Sequence, residues 1–282
     1  MKIGFCMLLW TTHVTEKHKG ILEALKATGY DGVEVPVFEG TPDHFAKVGK
    51  MLDELGLGRT AITVVPTEDK NPVGKDAAQR KAAIDYLKYC VDCTAALGAS
   101  CIGGPLTQTL GYFSGKGPTD AERSRARSVH RKVGDYAQKQ GVKIAIEAVN
   151  RFETYFVNTM HDLAAYLDSV DHPAIQGMYD TFHANLEEAD PIAAIGEIRP
   201  HMIHVHISEN DRGVPGRGHV PWGPTFKALK RSGYDGWLTI EAFGRGLPAL
   251  AAATRVWRDF SEGPEAVYKE GFRTIREGWK KA

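Results

Sequence analysis

No stretch of the 282-residue chain approaches the ~18 consecutive apolar residues that a membrane-spanning helix needs, so no such span is expected. The opening run MKIGFCMLLWTTH carries one lysine and too short an apolar segment for a secretion signal. It is read as a first buried strand, and the protein is expected in the cytoplasm. Charge of one sign is also missing, because 35 Lys+Arg balance 35 Asp+Glu. A nucleic-acid binder would show a basic excess, so neither nucleic acid nor membrane is an expected partner. Cysteine is scarce, at four residues. Cys90 and Cys93 form a CxxC, but no second CxxC or suitably spaced histidine follows, as a zinc site would require. The pair lies inside the helical pattern AAIDYLKYCVDCTAALGA and is read as small core residues. Finally, no glycine-rich phosphate loop follows the first apolar run, which weighs against a doubly wound dinucleotide-binding sheet.

What is present is an alternation of short apolar runs and amphipathic stretches. Strands are expected over 2–8, 32–36, 60–65, 100–104, 143–149, 174–180, 202–207 and 237–242. Helical periodicity falls between them, over 17–28, 41–56, 76–98, 121–140, 159–169 and 224–232. Continuous apolar strands suit a parallel sheet covered on both faces. Eight such units predict an α/β protein of the (β/α)8 TIM-barrel class. Residues 1–282 are read as one barrel domain, with extra C-terminal helices from about 248 to 282.

Barrel active sites form at the C-terminal ends of the strands. Four of the last four strands' ends carry metal-ligating types: Glu147 in IAIEAV, Asp180 in GMYDTF, His206 in IHVHIS and Glu241 in LTIEAF. Their separations of 33, 26 and 35 residues are each close to one βα unit, which places them at similar height around one side of the mouth. An ionised carboxylate in an apolar strand is costly unless paired or metal-bound. Three together raise one another's pKa. One divalent cation resolves both problems, and three carboxylates with one imidazole suit Mn²⁺, Mg²⁺ or Co²⁺ better than a thiolate-type zinc site. Other residues are open. His204 shares the strand face of His206, Glu34 ends the second strand, Glu209 reads as a loop residue, and Trp10 and Tyr112 are candidates for an apolar wall. Arg217 in GVPGRGHVPWG is a candidate contact for a phosphate or carboxylate, although no phosphate cradle follows strands seven and eight.

The segments EAVNRFE, DTFHANLEEAD, HVHISENDRG and TIEAF resemble the D-tagatose 3-epimerase family of ketose 3-epimerases, as do GYDGW before the last strand and VWRDFSEG after it. The resemblance implies a xylose-isomerase-like barrel. It also implies that Glu147, Asp180, His206 and Glu241 are the metal ligands, with Mn²⁺ the first choice. Glu147 and Glu241 match the family's paired catalytic carboxylates, while Glu153, His183 and Arg212 match its substrate-binding positions. The implied reaction is inversion at C3 of a free ketose of the D-tagatose, D-psicose or L-ribulose kind through an enediolate. A homodimer or homotetramer is implied too. The alternative is a same-fold isomerase, dehydratase or decarboxylase acting on a related sugar or sugar acid. Departures from the family lie at Cys6, Leu8 and Leu9 on strand one and in the loop PLTQTLGYFSGKGPTD, both of which shape the far end of the pocket.

Overall fold

The structure, a computed structural model, describes residues 1–282. Eight parallel strands close into a barrel in chain order: β1 Lys2–Cys6, β2 Gly32–Pro36, β3 Gly58–Ile62, β4 Cys101–Gly104, β5 Lys143–Glu147, β6 Ile175–Asp180, β7 Met202–Ile207 and β8 Trp237–Ile240. Closure is made by β8 pairing with β1, Ile3 opposite Leu238 and Phe5 opposite Ile240.

Ten α-helices surround the barrel: α1 Lys19–Thr28, α2 Pro42–Glu54, α3 Ala77–Ala96, α4 Asp120–Lys139, α5 Met160–Val170, α6 Thr181–Glu187, α7 Pro191–Ile198, α8 Trp222–Arg231, α9 Pro248–Thr254 and α10 Pro264–Lys281. Their starts are written in the sequence. Thr41 precedes Pro42 and accepts from His44 N–H, and Thr119 with Glu122 makes a reciprocal capping box. Helix α1 stops at Gly29, whose φ of 114° needs no Cβ. The helices expected after residue 248 are present. Helix α10 packs against α8 and α1 and closes the outer ring, while α9 lies over the mouth.

Two details differ from the periodicity reading. Strand β1 ends at Cys6 because Met7–Leu9 turn into a single 3₁₀ turn over the barrel rim. The β6–β7 connection holds two helices, α6 and α7, where helical periodicity placed none; both are short, and Asp190–Pro191 starts the second. No helix is long and apolar enough to cross a membrane.

The main core fills the layer between barrel and helices. Cys90 and Cys93 belong to it, and all four cysteines are free, as expected for packing residues. A second, small apolar cluster sits apart from that layer: Cys6, Leu8, Ile62, Phe243, Ala251 and Val256. Strand alternation sends Glu34, His204, His206, Glu147 and Asp180 toward the barrel interior, with Asp180 paired to His206 in register.

Candidate active site

The four strand-end residues meet. His206 Nδ1 lies 3.3 Å from Asp180 Oδ2, 3.6 Å from Glu241 Oε1 and 3.9 Å from Glu147 Oε1. All four side chains are buried. Two of them, His206 and Asp180, are aimed by a second contact. His206 Nε2–H donates to Glu34 Oε2 at 2.9 Å, which turns Nδ1 toward the carboxylates. Asp180 uses one oxygen to cap α6, accepting from Phe182 N–H at 2.6 Å and His183 N–H at 3.1 Å. Its other oxygen points into the site. Glu147 Oε1, Asp180 Oδ2 and His206 Nδ1 are buried with no hydrogen-bond partner in the protein. Unpartnered buried acceptors converging on one point are the signature of a group that is held there. Hard oxygen donors with one imidazole nitrogen fit a divalent cation.

Electrostatics agree. Burial pushes the Glu147 carboxyl well above the usual range, and Asp180 and Glu241 add to it against His206. Burial likewise raises Glu241 to about 7, with Asp180 and Glu34 opposing the relief from His206 and Arg212. Asp180 is held low despite burial, by His206, His183 and Arg212 close to it. Burial disfavours charge on His206, yet Glu34 and Glu241 hold it protonated well above its ordinary value. The metal-free site therefore carries protons where a cation would sit.

Glu153, His183 and Arg212 line the same cavity, a space of about 320 Å³ that also takes Glu147 and Glu241 into its wall. Arg212 is buried, pairs with Glu153 Oε1 at 3.1 Å and is sandwiched between the rings of Phe182 (4.1 Å) and Phe243 (5.0 Å). Its φ of 60° is left-handed, an unusual backbone state for a non-glycine residue. His183 Nδ1 accepts from Asn150 N–H at 3.0 Å, so the ring proton sits on Nε2. Burial holds His183 down to about 4, and it is neutral at pH 7. Its Nε2–H and Arg212 Nη2, 3.2 Å apart, are both donors. Both line the cavity, where a substrate oxygen could accept from either.

Residues whose role the sequence left unread now have places. Asn150 ties the loop after β5 together: its backbone N–H donates to His183, its Nδ2 donates to Glu153 Oε1 at 2.9 Å, and its Oδ1 accepts from Phe152 N–H. It stands inside the EAVNRFE motif, so the signal was there without a role attached. Glu209 is fully buried and holds the loop after β7, accepting from Asn210, Gly216 and Val220 N–H and from Trp222 Nε1. Glu34 does not line the cavity but lies beneath His206. His204 lies there too, Nε2 2.8 Å from Glu34 Oε1. Trp10 packs on Phe5 and Tyr268, and Tyr112 on Tyr155, away from the cavity wall. Arg217 is spoken for, bridging Glu262 and Glu270 near the start of α10, and does not meet the cavity.

A parallel eight-stranded barrel with three carboxylates, one imidazole and an arginine gathered at its C-terminal mouth defines a TIM-barrel enzyme. The model of the xylose isomerase-like TIM barrel matches residues 22–278. The ketose 3-epimerase of Arthrobacter globiformis is 31% identical over 92% of this chain and 90% of its own. A solved L-ribulose 3-epimerase superposes with a TM-score of 0.93 at 27% identity, over 99% of this chain and 94% of that one. A D-psicose 3-epimerase from Clostridium cellulolyticum, solved with D-tagatose, gives 0.88 at 27% identity over 99% and 98%. The chain belongs to the xylose isomerase-like TIM barrel family and, within it, to the ketose 3-epimerases.

Proposed function

We propose that the protein is a divalent-metal-dependent epimerase that inverts C3 of a free ketose. The observation that carries the reading is the convergence of Glu147 Oε1, Asp180 Oδ2 and His206 Nδ1, unpartnered and buried, beside Glu241. Glu147, Asp180, His206 and Glu241 would hold the cation, with Mn²⁺ favoured and Mg²⁺ or Co²⁺ as alternatives. Bound there, a divalent cation supplies Lewis-acid polarisation of the substrate's C2 carbonyl and C3 hydroxyl.

The rest falls to side chains. Inversion needs one base to take the C3 proton and a second acid to return it on the other face. Glu147 and Glu241 are the two carboxylates that share both the metal position and the cavity wall. His183 Nε2–H and Arg212 donate to sugar oxygens on which enediolate charge builds. Glu153, held below the usual carboxylate range by Arg212 despite burial, stays ionised and accepts from a substrate hydroxyl. The relatives support a ketose: one solved neighbour was studied with D-tagatose and another with D-fructose. None of the relatives named here is a dehydratase or decarboxylase, which leaves that alternative without support.

The test is metal-reconstituted protein in D₂O with a panel of ketopentoses and ketohexoses, followed by proton NMR. Exchange at C3 with accumulation of the C3 epimer is expected. Exchange confined to C1, or loss of CO₂, would reassign the reaction. Sedimentation would check the expected dimer or tetramer.

A further inference from the structure

The Glu34 carboxylate is fully buried, outside the cavity wall, and without an obvious task in the reaction. Its partners come from two other strands. Oε2 accepts from His206 Nε2–H at 2.9 Å, and Oε1 accepts from Thr60 Oγ1 on β3 at 3.1 Å. His204 Nε2 on β7 lies 2.8 Å from the same Oε1, out of line for a hydrogen bond.

We propose that Glu34 is a positioning residue that fixes the His206 ring and its proton on Nε2, presenting the Nδ1 lone pair to the cation. The inference rests on the metal reading above. An imidazole has one proton and two nitrogens, and the nitrogen that meets the metal is set by what the other donates to. Within 4 Å of His206 Nδ1 lie the carboxylates of Asp180, Glu147 and Glu241, and the nitrogen has no hydrogen-bond partner. Without an acceptor at Nε2, the neutral ring would place its proton on Nδ1, toward Asp180, and close that position to a cation. Glu34 removes this option from beneath. Register makes the device rigid: Glu34 pairs with Cys6 on one side and Thr60 on the other, so its carboxylate is fixed by three adjacent strands.

The test compares Mn²⁺ binding to metal-stripped wild type, Glu34→Leu and Glu34→Gln, read by the electron paramagnetic resonance of free Mn²⁺. Leucine cannot accept from Nε2–H, and a loss of about 10- to 100-fold in affinity is expected. Glutamine can, through its amide oxygen, and should stay within a few-fold of wild type. Unchanged affinity in Glu34→Leu, or equal loss in both variants, would overturn the assignment. Imidazole ¹⁵N spectra of wild type loaded with Mg²⁺ provide a second readout that needs no variant: the His206 proton is expected on Nε2, and a proton on Nδ1 refutes it. Wild type that binds no Mn²⁺, or His206→Asn that binds it as well as wild type, brings down the metal reading itself.

Discussion

The two halves of the barrel mouth are built on opposite chemistry. On the side of β5 to β8, Glu147, Asp180, His206, Glu241, His183 and Arg212 are buried polar groups, each held by a named partner or left facing a common point. On the other side, Leu8, Phe38, Ile62, Val64 and Leu110 line the same cavity, and Leu250 of α9 closes it. A hydrogen-bonded group is fixed in direction as well as distance, whereas an apolar wall fixes only shape. The polar half therefore defines where the reacting carbons sit, and the apolar half defines how much sugar fits behind them.

The largest effect that would separate the halves is loss of a proton-transfer group. Glu147→Gln or Glu241→Gln should lower turnover by about 10²–10⁴-fold, measured as C3 epimer formation in D₂O. A carboxylate whose loss leaves turnover intact is not the acid or base. Next comes Arg212→Lys, which loses the fork toward Glu153 and the stacking between Phe182 and Phe243. It should reduce kcat/KM by about 100-fold, in the range for removal of one preorganised donor.

A smaller and graded effect concerns pH. In the metal-free protein Glu147 and Glu241 have raised pKa values, Glu241 at about 7. The cation binds the ionised forms. Metal affinity must therefore rise as pH climbs through this region and fall in acid, by about tenfold per pH unit for each proton displaced. Calorimetry in buffers of different ionisation enthalpy would count the protons; a flat profile from pH 6 to 8 would contradict the direction. The smallest change belongs to the apolar half. Leu8→Ala or Leu250→Ala should reorder the preferred ketoses by about tenfold in kcat/KM, with C3 exchange on the best substrate kept within a few-fold. Equal losses on every sugar would mean that this wall serves the chemistry too.

The same contrast governs what the sequence made legible. The barrel and its four convergent positions could be read because strand alternation and unit length are local signals, and a charge at the end of an apolar strand stands out. Roles set by partners far along the chain could not. Glu34 and His206 are 172 residues apart, and only the closed barrel brings them to 2.9 Å. Arg217 looked like an anion contact because nothing nearby in sequence reveals Glu262 and Glu270 waiting on it. Asn150 was in plain view, but its bond to His183 depends on where α6 places that ring. The apolar wall drew on Leu8, Ile62 and Leu250, from the turn after β1, from β3 and from α9, and no short motif joins them.

The loop after β7 hangs on one carboxylate. Glu209 binds N–H groups at positions 210, 216, 220 and 222, so it spans the stretch from strand end to helix start like a single rivet. Three of those four donors are backbone, which every residue but proline supplies. Side chains between the anchor points add to this hold: Asn210 Oδ1 accepts from His219 N–H, Asp211 Oδ1 accepts from Gly213 N–H, and at crowded Gly218 a Cβ would strike Asn210 and Glu209. One buried carboxylate thereby sets both where the chain leaves β7 and where it enters α8 at Trp222, with Arg212 carried on the loop between them.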